Sequence, residues 1–595
     1  MMLCGRRAWL SKSLPAKRSS ITFSHHIYRN LQCKRSFASQ SQAAEFDRTY
    51  DVVVVGSGCA GLTAATVAAK HGLKVLVVEK TKYFGGTTAY SGGGAWIPNN
   101  PHQPAIGVQD STEQADKYLR NVLGDLYDPK SIRTFLKSAP EMVRWMEDNT
   151  TMKFKPVPLP DYHITKEGAT VGRTILTEEF DGRKLGRRIK EIRYPLQGYS
   201  AFGTMQADAG DLGTLSSPFS SIKNFTFSAK TIIRYATDLL AYGKGTYMAN
   251  GNALAGRLMH SALQQNVEMW NNAPAVRTIV EAGKVVGLVI SKDDGRPVAI
   301  RANKGIVLAS GGFGRNIEEA KKYVPHEWCA QPRGNVGDGK RMGIESGGVL
   351  AERNPENAIF APISLLRPAN GPVRRYPHFA LDRSKPGSII VGPDGKRFAN
   401  ESEPYQEFVS VMHKKKIEKA YFIADRRFLR KYGMGMALPA PYPIWKLLSQ
   451  GYLIHAPTLV ELAQKLDISA DALAETVARC NKFAETGVDA EFHRGENIYD
   501  NFYGDAGVTP NPNLGKCETG PFYALPLYPG NVSTMFGLKV DEDARVIGKD
   551  GNPVEGLFAV GCDQNSVMRG AYPGGGSSIG PGMTFGYRAG LFLAS

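Results

Sequence analysis

The chain has 595 residues, of which 73 are Lys or Arg and 56 are Asp or Glu, so its formal net charge is +17. Hydrophobic residues make up 42% and charged residues 22%, which excludes a disordered chain, a collagen and a long coiled coil. The length fits several domains, or one large α/β enzyme with an inserted domain. Its 64 glycines come in clusters rather than in a repeat.

Nearly half of the positive excess lies in residues 1–44. This segment is rich in Arg and Ser and carries eight basic residues and no acidic one, which leaves +9 for the remaining 551 residues. Such a composition is typical of a mitochondrial transit peptide and predicts mitochondrial import. The alternative is a basic tail with no targeting role. Because the charge is concentrated there and no recognition motif occurs, we expect no nucleic-acid partner.

The cysteines and histidines predict no disulfide framework and no metal site. Seven Cys are scattered without a C-x-x-C, and eleven His show neither H-x-x-x-H nor H-E-x-x-H spacing. The most apolar stretch, Val52–Ala69, is about as long as a membrane span, but three glycines interrupt it. We therefore expect a buried strand, a turn and a helix there, and no transmembrane helix.

The first chemical motif follows a β-branched run, Tyr50–Val55, that predicts a buried parallel strand. The sequence then continues as Gly-Ser-Gly-Cys-Ala-Gly over residues 56–61, an Ala-rich helix over Leu62–His71 and a second strand over Leu73–Val78. This succession of strand, G-x-G-x-x-G, helix and strand predicts a dinucleotide-binding βαβ unit.

The glycines, the helix N-terminus and the acidic residue of this unit each have a physical role. Gly56 permits the tight turn, Gly58 lets a pyrophosphate approach the backbone, and Gly61 allows the helix to pack closely on the strand. The helix N-terminus offers N–H groups and a positive dipole end to the phosphates. Glu79, which ends the second strand, is placed to accept hydrogen bonds from a ribose diol.

A second Gly-, Thr- and Ser-rich cluster favours FAD over NAD. It occupies Tyr83–Trp96, directly after the second strand. An NAD-binding domain has no need of such a segment, whereas a flavin must be threaded between backbone segments with donors near its ring and ribityl chain.

The N-terminal motifs resemble those of the FAD-dependent fumarate reductase/ketosteroid dehydrogenase superfamily. Lys304–Phe313 and Gly556–Gly561 are similar to its later flavin-binding strands. The resemblance implies an α/β fold: a discontinuous Rossmann-like FAD-binding domain over 48–357 and 519–595, with an inserted α+β catalytic or capping domain over 358–518. The implied cofactor-binding residues are Gly56, Ser57, Gly58, Cys59, Ala60, Gly61, Glu79, Lys80, Gly86, Thr87, Thr88, Ser91, Gly92, Gly93, Ala309, Gly311, Gly561 and Ile579.

The dicarboxylate branch of the superfamily is disfavoured. Its Phe-His-Pro-Thr motif and Arg-Gly-Glu-Gly-Gly loop correspond here to Phe360–Ile363 and Lys385–Ile389, which lack the His and the Arg that bind substrate carboxylates. No His occurs in Tyr83–Trp96, so the His-linked flavin of succinate dehydrogenases is not expected. FAD should be bound non-covalently.

The sequence more closely resembles the 3-ketosteroid Δ1-dehydrogenases. The matching stretches are Gly86–Asn99, Pro160–Tyr162, Arg397–Tyr405 and Tyr572–Pro581. The family's catalytic positions fall on Tyr162, Tyr405, Tyr572 and Gly576. A departure occurs at Gly561-Cys562-Asp563, where the family usually has Gly-Asn, and we expect no redox role for Cys562.

The resemblance implies removal of two hydrogens from adjacent carbons of a 3-oxosteroid or a steroid-like triterpenoid ketone, creating a C1–C2 double bond. Tyr572 O–H and Gly576 N–H would hold the ketone oxygen, Tyr405 would take the α-proton, and Tyr162 would stabilise the Tyr405 anion. Because a Tyr ionises near pH 10, we expect an alkaline optimum. The alternatives are a fumarate reductase-like or other enoate reductase, or a flavin-binding protein without turnover.

The partners implied are an apolar polycyclic ketone and an electron acceptor that the sequence does not identify. Residues 457–488 predict helices, with Thr458 and Ser469 at helical spacing from apolar residues. Phe225–Tyr242 predicts a helix that either packs on its own domain or makes peripheral membrane contact where an apolar substrate enters. The Arg pairs at 187–188 and 374–375 predict solvated surface, and Asp161 and Glu401 structural roles.

Overall fold

The computed structural model describes residues 45–196, 198–200, 202–205, 209–216, 218–292 and 295–595, so the predicted transit peptide lies outside the described residues. Residues 46–595 form one compact unit. The α-helices are α1 Cys59–Lys70, α2 Thr112–Leu123, α3 Pro129–Asn149, α4 Ala209–Ser216, α5 Ile222–Tyr242, α6 Asn250–Gln264, α7 Ile317–Ala320, α8 Asp338–Glu345, α9 Ala380–Arg383, α10 Tyr405–Lys414, α11 Arg426–Tyr432, α12 Trp445–Ser449, α13 Leu459–Leu466, α14 Ala470–Thr486, α15 Ile498–Tyr503 and α16 Ile579–Ala594.

The strands of the described chain range from two to twelve residues. They are β1 Arg48–Val55, β2 Val75–Val78, β3 Gly94–Trp96, β4 Phe154–Pro156, β5 Thr174–Thr177, β6 Phe180–Asp181, β7 Tyr247–Met248, β8 Glu268–Trp270, β9 Ala275–Glu281, β10 Lys284–Ser291, β11 Pro297–Leu308, β12 Trp328–Cys329, β13 Ala358–Phe360, β14 Ile363–Leu366, β15 Arg374–Pro377, β16 Ser388–Val391, β17 Ala420–Asp425, β18 Ile454–Ala456, β19 Phe522–Leu527, β20 Gly530–Thr534, β21 Arg545–Ile547 and β22 Pro553–Ala559.

The main sheet is the predicted Rossmann-like sheet. Its order is β21-β22-β11-β1-β2-β8, with β10 pairing β11 and β9 pairing β10. Strands β22, β11, β1, β2 and β8 run parallel to one another, whereas β21 and β10 join them antiparallel. The β-branched side chains of β1 and β2 are buried on both faces, as expected where helices cover a parallel sheet. Strands from both ends of the chain meet here, which confirms a discontinuous FAD-binding domain.

A second sheet forms the core of the inserted domain. It is four-stranded and antiparallel, in the order β16-β17-β19-β18. Strand β19 pairs over its whole length with β17, and it lies after the predicted boundary at residue 518. The sheet of the inserted domain therefore extends to residue 527, because β19 supplies backbone partners that β17 and β18 would otherwise lack.

Local sequence signals account for the helix bounds near the site and in the inserted domain. Helix α1 begins after Gly58 and is buried along nearly its whole length, so its Ala-rich composition suits close packing. The predicted helices over 457–488 are α13 and α14, and they are capped by the side chains of Thr458 and Ser469. A last helix, α16, packs along α1 and closes the FAD-binding domain.

Helix α5 is the predicted helix of residues 225–242, extended to Ile222. Several of its apolar side chains face solvent, among them Leu240 at 90% exposure and Ile222 at 87%. In the described part of the chain, no helix is both long and apolar enough to cross a membrane.

Candidate active site

A long cleft lies at the carboxyl ends of the parallel strands, where α/β sheets bind their ligands. It encloses about 840 Å³, counting the space open to solvent. Of the eighteen residues predicted to bind the cofactor, these line it: Gly56, Ser57, Gly58, Cys59, Ala60, Glu79, Lys80, Gly86, Thr87, Thr88, Ala309, Gly311 and Gly561. The βα turn and the second glycine cluster therefore face one cavity.

The backbone of this cleft fits an FAD molecule. Gly56 has φ +110°, and a Cβ there would lie 2.2 Å from the carbonyl oxygen of Ala309, so the turn requires glycine. A Cβ on Gly58 would meet only Thr88 Oγ1, at 3.7 Å, and would project into the cleft. Helix α1 begins there without a side-chain cap, which leaves its N-terminus for phosphate oxygens.

Glu79 is anchored at the cleft wall. Its Oε2 accepts a hydrogen bond from Ser57 Oγ at 2.7 Å, and its Oε1 accepts from the backbone N–H and the hydroxyl of Thr81, both at 2.9 Å. Each carboxylate oxygen has two lone pairs, so Oε1 is fully used and Oε2 can accept one further bond, from a ribose hydroxyl. Lys80 Nζ lies 2.5 Å from Asp338 Oδ2 at the same rim.

Five of the predicted cofactor residues lie outside the cleft lining: Gly61, Ser91, Gly92, Gly93 and Ile579. Gly61 packs α1 on the sheet, since a Cβ there would lie 2.4 Å from Gly56 O. The carbonyl of Ser91 accepts from Gly251 N at 3.0 Å, and a Cβ on Gly93 would lie 2.3 Å from the Asn250 carbonyl carbon, so both hold the start of α6.

Several residues that line the cleft were not predicted from the sequence. Chief among them are Arg193, Ser310, Gly334, Asn335, Asp338 and Cys562. The run Gly-Asn-Val-Gly-Asp-Gly at 334–339 resembles the other glycine clusters, so the sequence could have indicated that this segment binds the cofactor. Asn335 Nδ2 donates to Gly311 O at 2.8 Å and to Thr87 Oγ1 at 3.1 Å. It therefore ties the two predicted glycine segments together.

Cys562 also lies in the cleft wall, with its Sγ 3.0 Å from Ser533 Oγ. Burial raises the pKa of this thiol to about 11, so it is protonated at neutral pH. The adjacent Asp563 accepts hydrogen bonds from the Ser310 hydroxyl and from the amide of Gly312. Burial raises the pKa of Asp563 to about 6, although these hydrogen bonds act in the opposite direction.

Gly58→Val should abolish FAD binding without unfolding the protein. Its backbone, at φ −72° and ψ 177°, suits any residue, and the protein itself leaves room for a side chain. The added side chain would occupy the space of the pyrophosphate. The dissociation constant for FAD should rise at least about tenfold, a loss of about 1.4 kcal/mol or more, and the absorbance ratio at 450 and 280 nm should fall below that of wild type.

Gly92→Ala is the matched control, because a Cβ there meets no atom within 4 Å and the residue lies outside the cleft. It should keep its FAD. Loss of FAD in both variants, or in neither, would contradict this assignment of the cleft.

Three predicted catalytic tyrosines meet in one buried cluster. The hydroxyls of Tyr162 and Tyr405 lie 3.2 Å apart, and their ring centroids 5.6 Å. The ring centroid of Tyr572 lies 5.7 Å from that of Tyr162 and 5.6 Å from that of Tyr405. These residues lie hundreds of positions apart in the chain, so the fold brings them together as the resemblance implied.

The inserted domain supplies aromatic residues to this cluster that no local motif indicated. The ring of Phe379 lies 4.9 Å from Tyr405, and that of Tyr499 lies 5.0 Å from Tyr162. Tyr503 in turn packs edge to face against Tyr499, with ring centroids 5.4 Å apart. The rest of the wall is apolar and is formed by Ile359, Ala361, Ala380 and Met535. A flat apolar molecule suits such surroundings.

Gly576 lies in a tight loop beside Tyr572. Its φ is +95°, and a Cβ would lie 2.4 Å from Gly94 O, so only glycine fits. Its carbonyl accepts a hydrogen bond from Trp96 N at 3.2 Å, which fixes the loop on β3. Burial raises the pKa of Tyr572, while hydrogen bonds with Tyr405, Ser578 and the Gly576 backbone lower it. The Tyr572 hydroxyl and the Gly576 amide are therefore neighbours.

The comparisons with known proteins agree with this geometry. The FAD binding domain family matches residues 51–579. A 3-oxosteroid 1-dehydrogenase of Mycolicibacterium smegmatis is 38% identical over 92% of this chain and 97% of its own. The chain belongs to the 3-oxosteroid 1-dehydrogenase family. It is an FAD-dependent oxidoreductase acting on CH–CH groups.

Two further proteins that act on ring ketones are similar to this chain over most of their length. The 4-oxocyclohex-2-ene-1-carboxylate 5-dehydrogenase of Sinomonas cyclohexanicum is 38% identical over 91% of this chain and 93% of its own. The 3-ketosteroid Δ1-dehydrogenase of Sterolibacterium denitrificans, in complex with 1,4-androstadiene-3,17-dione, has a TM-score of 0.84 at 34% identity and covers 92% of this chain and 99% of that one.

This 3-oxosteroid 1-dehydrogenase family member holds Tyr162 through a buried ion cluster. The neighbouring Asp161 accepts from Trp96 Nε1 at 2.8 Å and from Arg173 Nη1 at 2.7 Å, and Arg173 also binds Asp110. Tyr162 N itself donates to Pro573 O at 2.9 Å, in the Tyr572 loop. Asp161 is thus structural, as predicted, and it connects both sides of the tyrosine cluster.

The site of this 3-oxosteroid 1-dehydrogenase family member is unsuited to a dicarboxylate. Ala361, at the position where dicarboxylate enzymes carry His, is part of the apolar wall. Arg383 carries a positive charge near Tyr499 of the cluster. Its guanidinium donates hydrogen bonds to four backbone carbonyls, those of His378, Phe379, Glu401 and Glu403. Its donors are therefore already engaged within the protein.

Proposed function

We propose that the protein desaturates a six-membered ring ketone, introducing the C1–C2 double bond of a 3-oxosteroid or of a steroid-like triterpenoid ketone. The observation that carries this proposal is the convergence of Tyr162, Tyr405, Tyr572 and Gly576 within apolar walls. The names of the relatives support it, since steroid and oxocyclohexene enzymes both act beside a ring ketone.

Each residue has one role in this reaction. The Tyr572 hydroxyl and the Gly576 amide donate hydrogen bonds to the ketone oxygen and stabilise the negative charge that develops there. The Tyr405 phenolate accepts a hydrogen bond from the Tyr162 hydroxyl across the 3.2 Å contact. Its Oη takes the proton from the carbon next to the ketone and becomes a neutral phenol. When bound, FAD supplies the acceptor for the hydride from the neighbouring carbon.

Anaerobic mixing with candidate substrates tests the proposal. A 3-oxo-4-ene steroid should bleach the flavin absorbance within seconds, and succinate should leave it unchanged. 4-Oxocyclohexanecarboxylate, which has a single ring, tests how many rings the substrate needs, because a single ring contacts less of the apolar wall. Bleaching by succinate alone, or by none of these compounds and no triterpenoid ketone, would contradict the proposal.

The rate should increase with pH. Burial raises the pKa of Tyr405 well above 10, so the phenolate that acts as base is scarce at neutral pH and becomes more abundant as the pH rises. We expect log kcat/KM to rise between pH 6 and 10 without a plateau. A maximum near pH 7 would exclude Tyr405 as the base in this form.

We propose peripheral membrane contact through α5. Leu240, Ile222 and Ile233 are exposed by 90%, 87% and 64%, and lie on one stripe of the helix with Phe225 and Ile232. Exposed Lys223 and Lys230 border this stripe and suit anionic headgroups. An apolar ketone partitions into lipid, so such contact would bring the enzyme to its substrate.

Ile233→Glu/Leu240→Glu should weaken binding to phosphatidylcholine/phosphatidylglycerol vesicles at least tenfold in a sedimentation assay, since each large apolar side chain buried contributes about 1.5–3 kcal/mol. The matched control is Val460→Glu/Ile498→Glu, at apolar residues that are exposed by 50% and 53% in the inserted domain. Equal binding of both variants would contradict membrane contact through α5.

We also propose import into mitochondria. The support is the acid-free basic segment of residues 1–44, which precedes the family match at residue 51. Fluorescent fusions with and without residues 1–44 test this in cells. Mitochondrial signal that persists without the segment, or that is absent with it, would contradict the proposal.

A further inference from the structure

Two arginines lie over the Trp328 ring and two more lie close to one of them, and the four together form what we call the arginine patch. It consists of Arg315, Arg333, Arg367 and Arg375. The guanidinium carbons of Arg367 and Arg375 lie 5.5 Å and 5.7 Å from the centre of the indole ring. Arg315 Nη1 donates to the carbonyl of the next residue, Cys329, at 2.7 Å. Arg367 and Arg375 thus bring positive charge to one aromatic side chain, and Arg315 and Arg333 add positive charge near Arg375.

The positive charge of the patch is not neutralised within the protein. Among the described residues, none of the four arginines forms an ion pair with Asp or Glu, whereas the buried Arg173 and Arg397 each bind two or more carboxylates. The Nε atom of Arg375 is buried and has no hydrogen-bond partner in the described chain. Arg374–Arg375 is therefore only partly the solvated pair that was predicted.

The surroundings of Arg375 destabilise its positive charge. Burial and the positive charges of Arg315 and Arg333 together lower its pKa to about 10, against a partial offset from Cys329 and Glu327. Glu327 is exposed and directly precedes Trp328. Repulsion between like charges destabilises the free protein, and an anionic partner would relieve it.

The patch adjoins the FAD cleft. Arg333 immediately precedes Gly334 and Asn335, which line the cleft. The backbone N–H of Arg315 donates to Asn335 O at 2.9 Å, and Asn335 Nδ2 reaches Thr87 Oγ1 in the cleft wall. A protein seated on the arginine patch would therefore lie directly beside the segments that hold the cofactor.

We propose that the arginine patch docks an acidic one-electron carrier protein that reoxidises the bound FAD. The proposal rests on the proposed function in one respect: each desaturation leaves two electrons and a proton with the cofactor. Two oxidised carriers then take one electron each, and the proton goes to solvent. Arg and Trp are the residue types enriched at protein interfaces, and exposed Arg333 and Arg367 suit attraction of an acidic face.

A protein partner explains the patch better than a small anion does. The patch combines four arginines from separate parts of the chain with the half-buried ring of Trp328, and Arg and Trp are both enriched at protein interfaces. Charges arranged in this way act at long range, raising association rates in a manner that salt suppresses.

The test uses holoenzyme reduced with dithionite, so that its result does not depend on the proposed substrate. The probes are soluble cytochrome b5, which is acidic, and cytochrome c, which is basic. Binding is measured by calorimetry and haem reduction by stopped flow, at 25 and 250 mM NaCl. We expect cytochrome b5 to bind and react at least tenfold faster than cytochrome c at 25 mM, and to lose that advantage at 250 mM.

Arg333→Gln/Arg367→Gln should weaken cytochrome b5 binding about tenfold. The control Arg144→Gln/Arg430→Gln removes the same charge from exposed sites elsewhere and should leave binding unchanged. FAD content and flavin bleaching by ketone should be normal in both variants. Equal effects of the two double variants, or equal reaction of the two cytochromes, would overturn the proposal. A raised KM for 4-oxocyclohexanecarboxylate with unchanged cytochrome binding would also overturn it, in favour of a substrate subsite.

Discussion

Tyr405→Phe should lower kcat by about 10²–10⁴-fold while the enzyme keeps its FAD, because a positioned general base contributes a factor of this size. The substitution removes only the hydroxyl that takes the α-proton. The ring remains in its contacts with Phe379, Tyr162 and Tyr572, so packing is preserved. Ketone binding should persist, and its affinity can be measured by titrating the flavin spectrum with a ketone that is not turned over.

Tyr523→Phe is the matched control for this variant. Tyr523 is 8% exposed, close to the 7% of Tyr405, but it lies on β19 and outside the tyrosine cluster. Its variant should have normal kcat. Near-normal turnover of Tyr405→Phe would exclude Tyr405 as the base, and a comparable loss in Tyr523→Phe would show that the effect is not specific to the site.

Tyr572→Phe should lower kcat/KM by about 10²–10³-fold, because it removes one of the two donors that face the ketone oxygen. The Gly576 amide would remain in place, since its position depends on the close approach to Gly94 and on the bond to Trp96. Single-turnover flavin reduction is the appropriate measurement, because it isolates the chemical steps from reoxidation.

The double variant Tyr405→Phe/Tyr572→Phe extends this test. Groups that act together in one transition state give losses that do not add. We therefore expect the double variant to be little slower than Tyr405→Phe alone. Strict additivity of the two losses, or an unchanged rate in Tyr572→Phe, would contradict a shared role at the ketone.

The FAD-binding half of the molecule was predictable because its signals are local. The buried run before Gly56 and the glycines that follow specify a strand, a turn and a helix through short-range sterics and burial alone. The structure places Gly56, Gly58, Thr87 and Thr88 on one cleft wall. Gly93 belongs to the same glycine cluster but serves the packing of α6, which spacing alone does not reveal.

The walls of the tyrosine cluster were less predictable, because they depend on contacts between distant segments. Tyr162, Tyr405 and Tyr572 were identified through motif resemblance, since nothing in 25 tyrosines distinguishes a catalytic one by composition. Tyr499 and Phe379 come from the inserted domain and lie in no such motif. The extension of that domain to β19 likewise follows from strand pairing, which a single sequence does not show.

The short stretch from Thr87 to Trp96 has a mechanical consequence. One end lines the cofactor cleft, and the other end, β3, carries the Gly576 loop through Gly94 and Trp96. Ten residues therefore set the spacing between hydride acceptor and ketone. A substitution that shifts this stretch by a fraction of an ångström at one end changes the reaction distance at the other, so cofactor fit and substrate alignment cannot be adjusted independently.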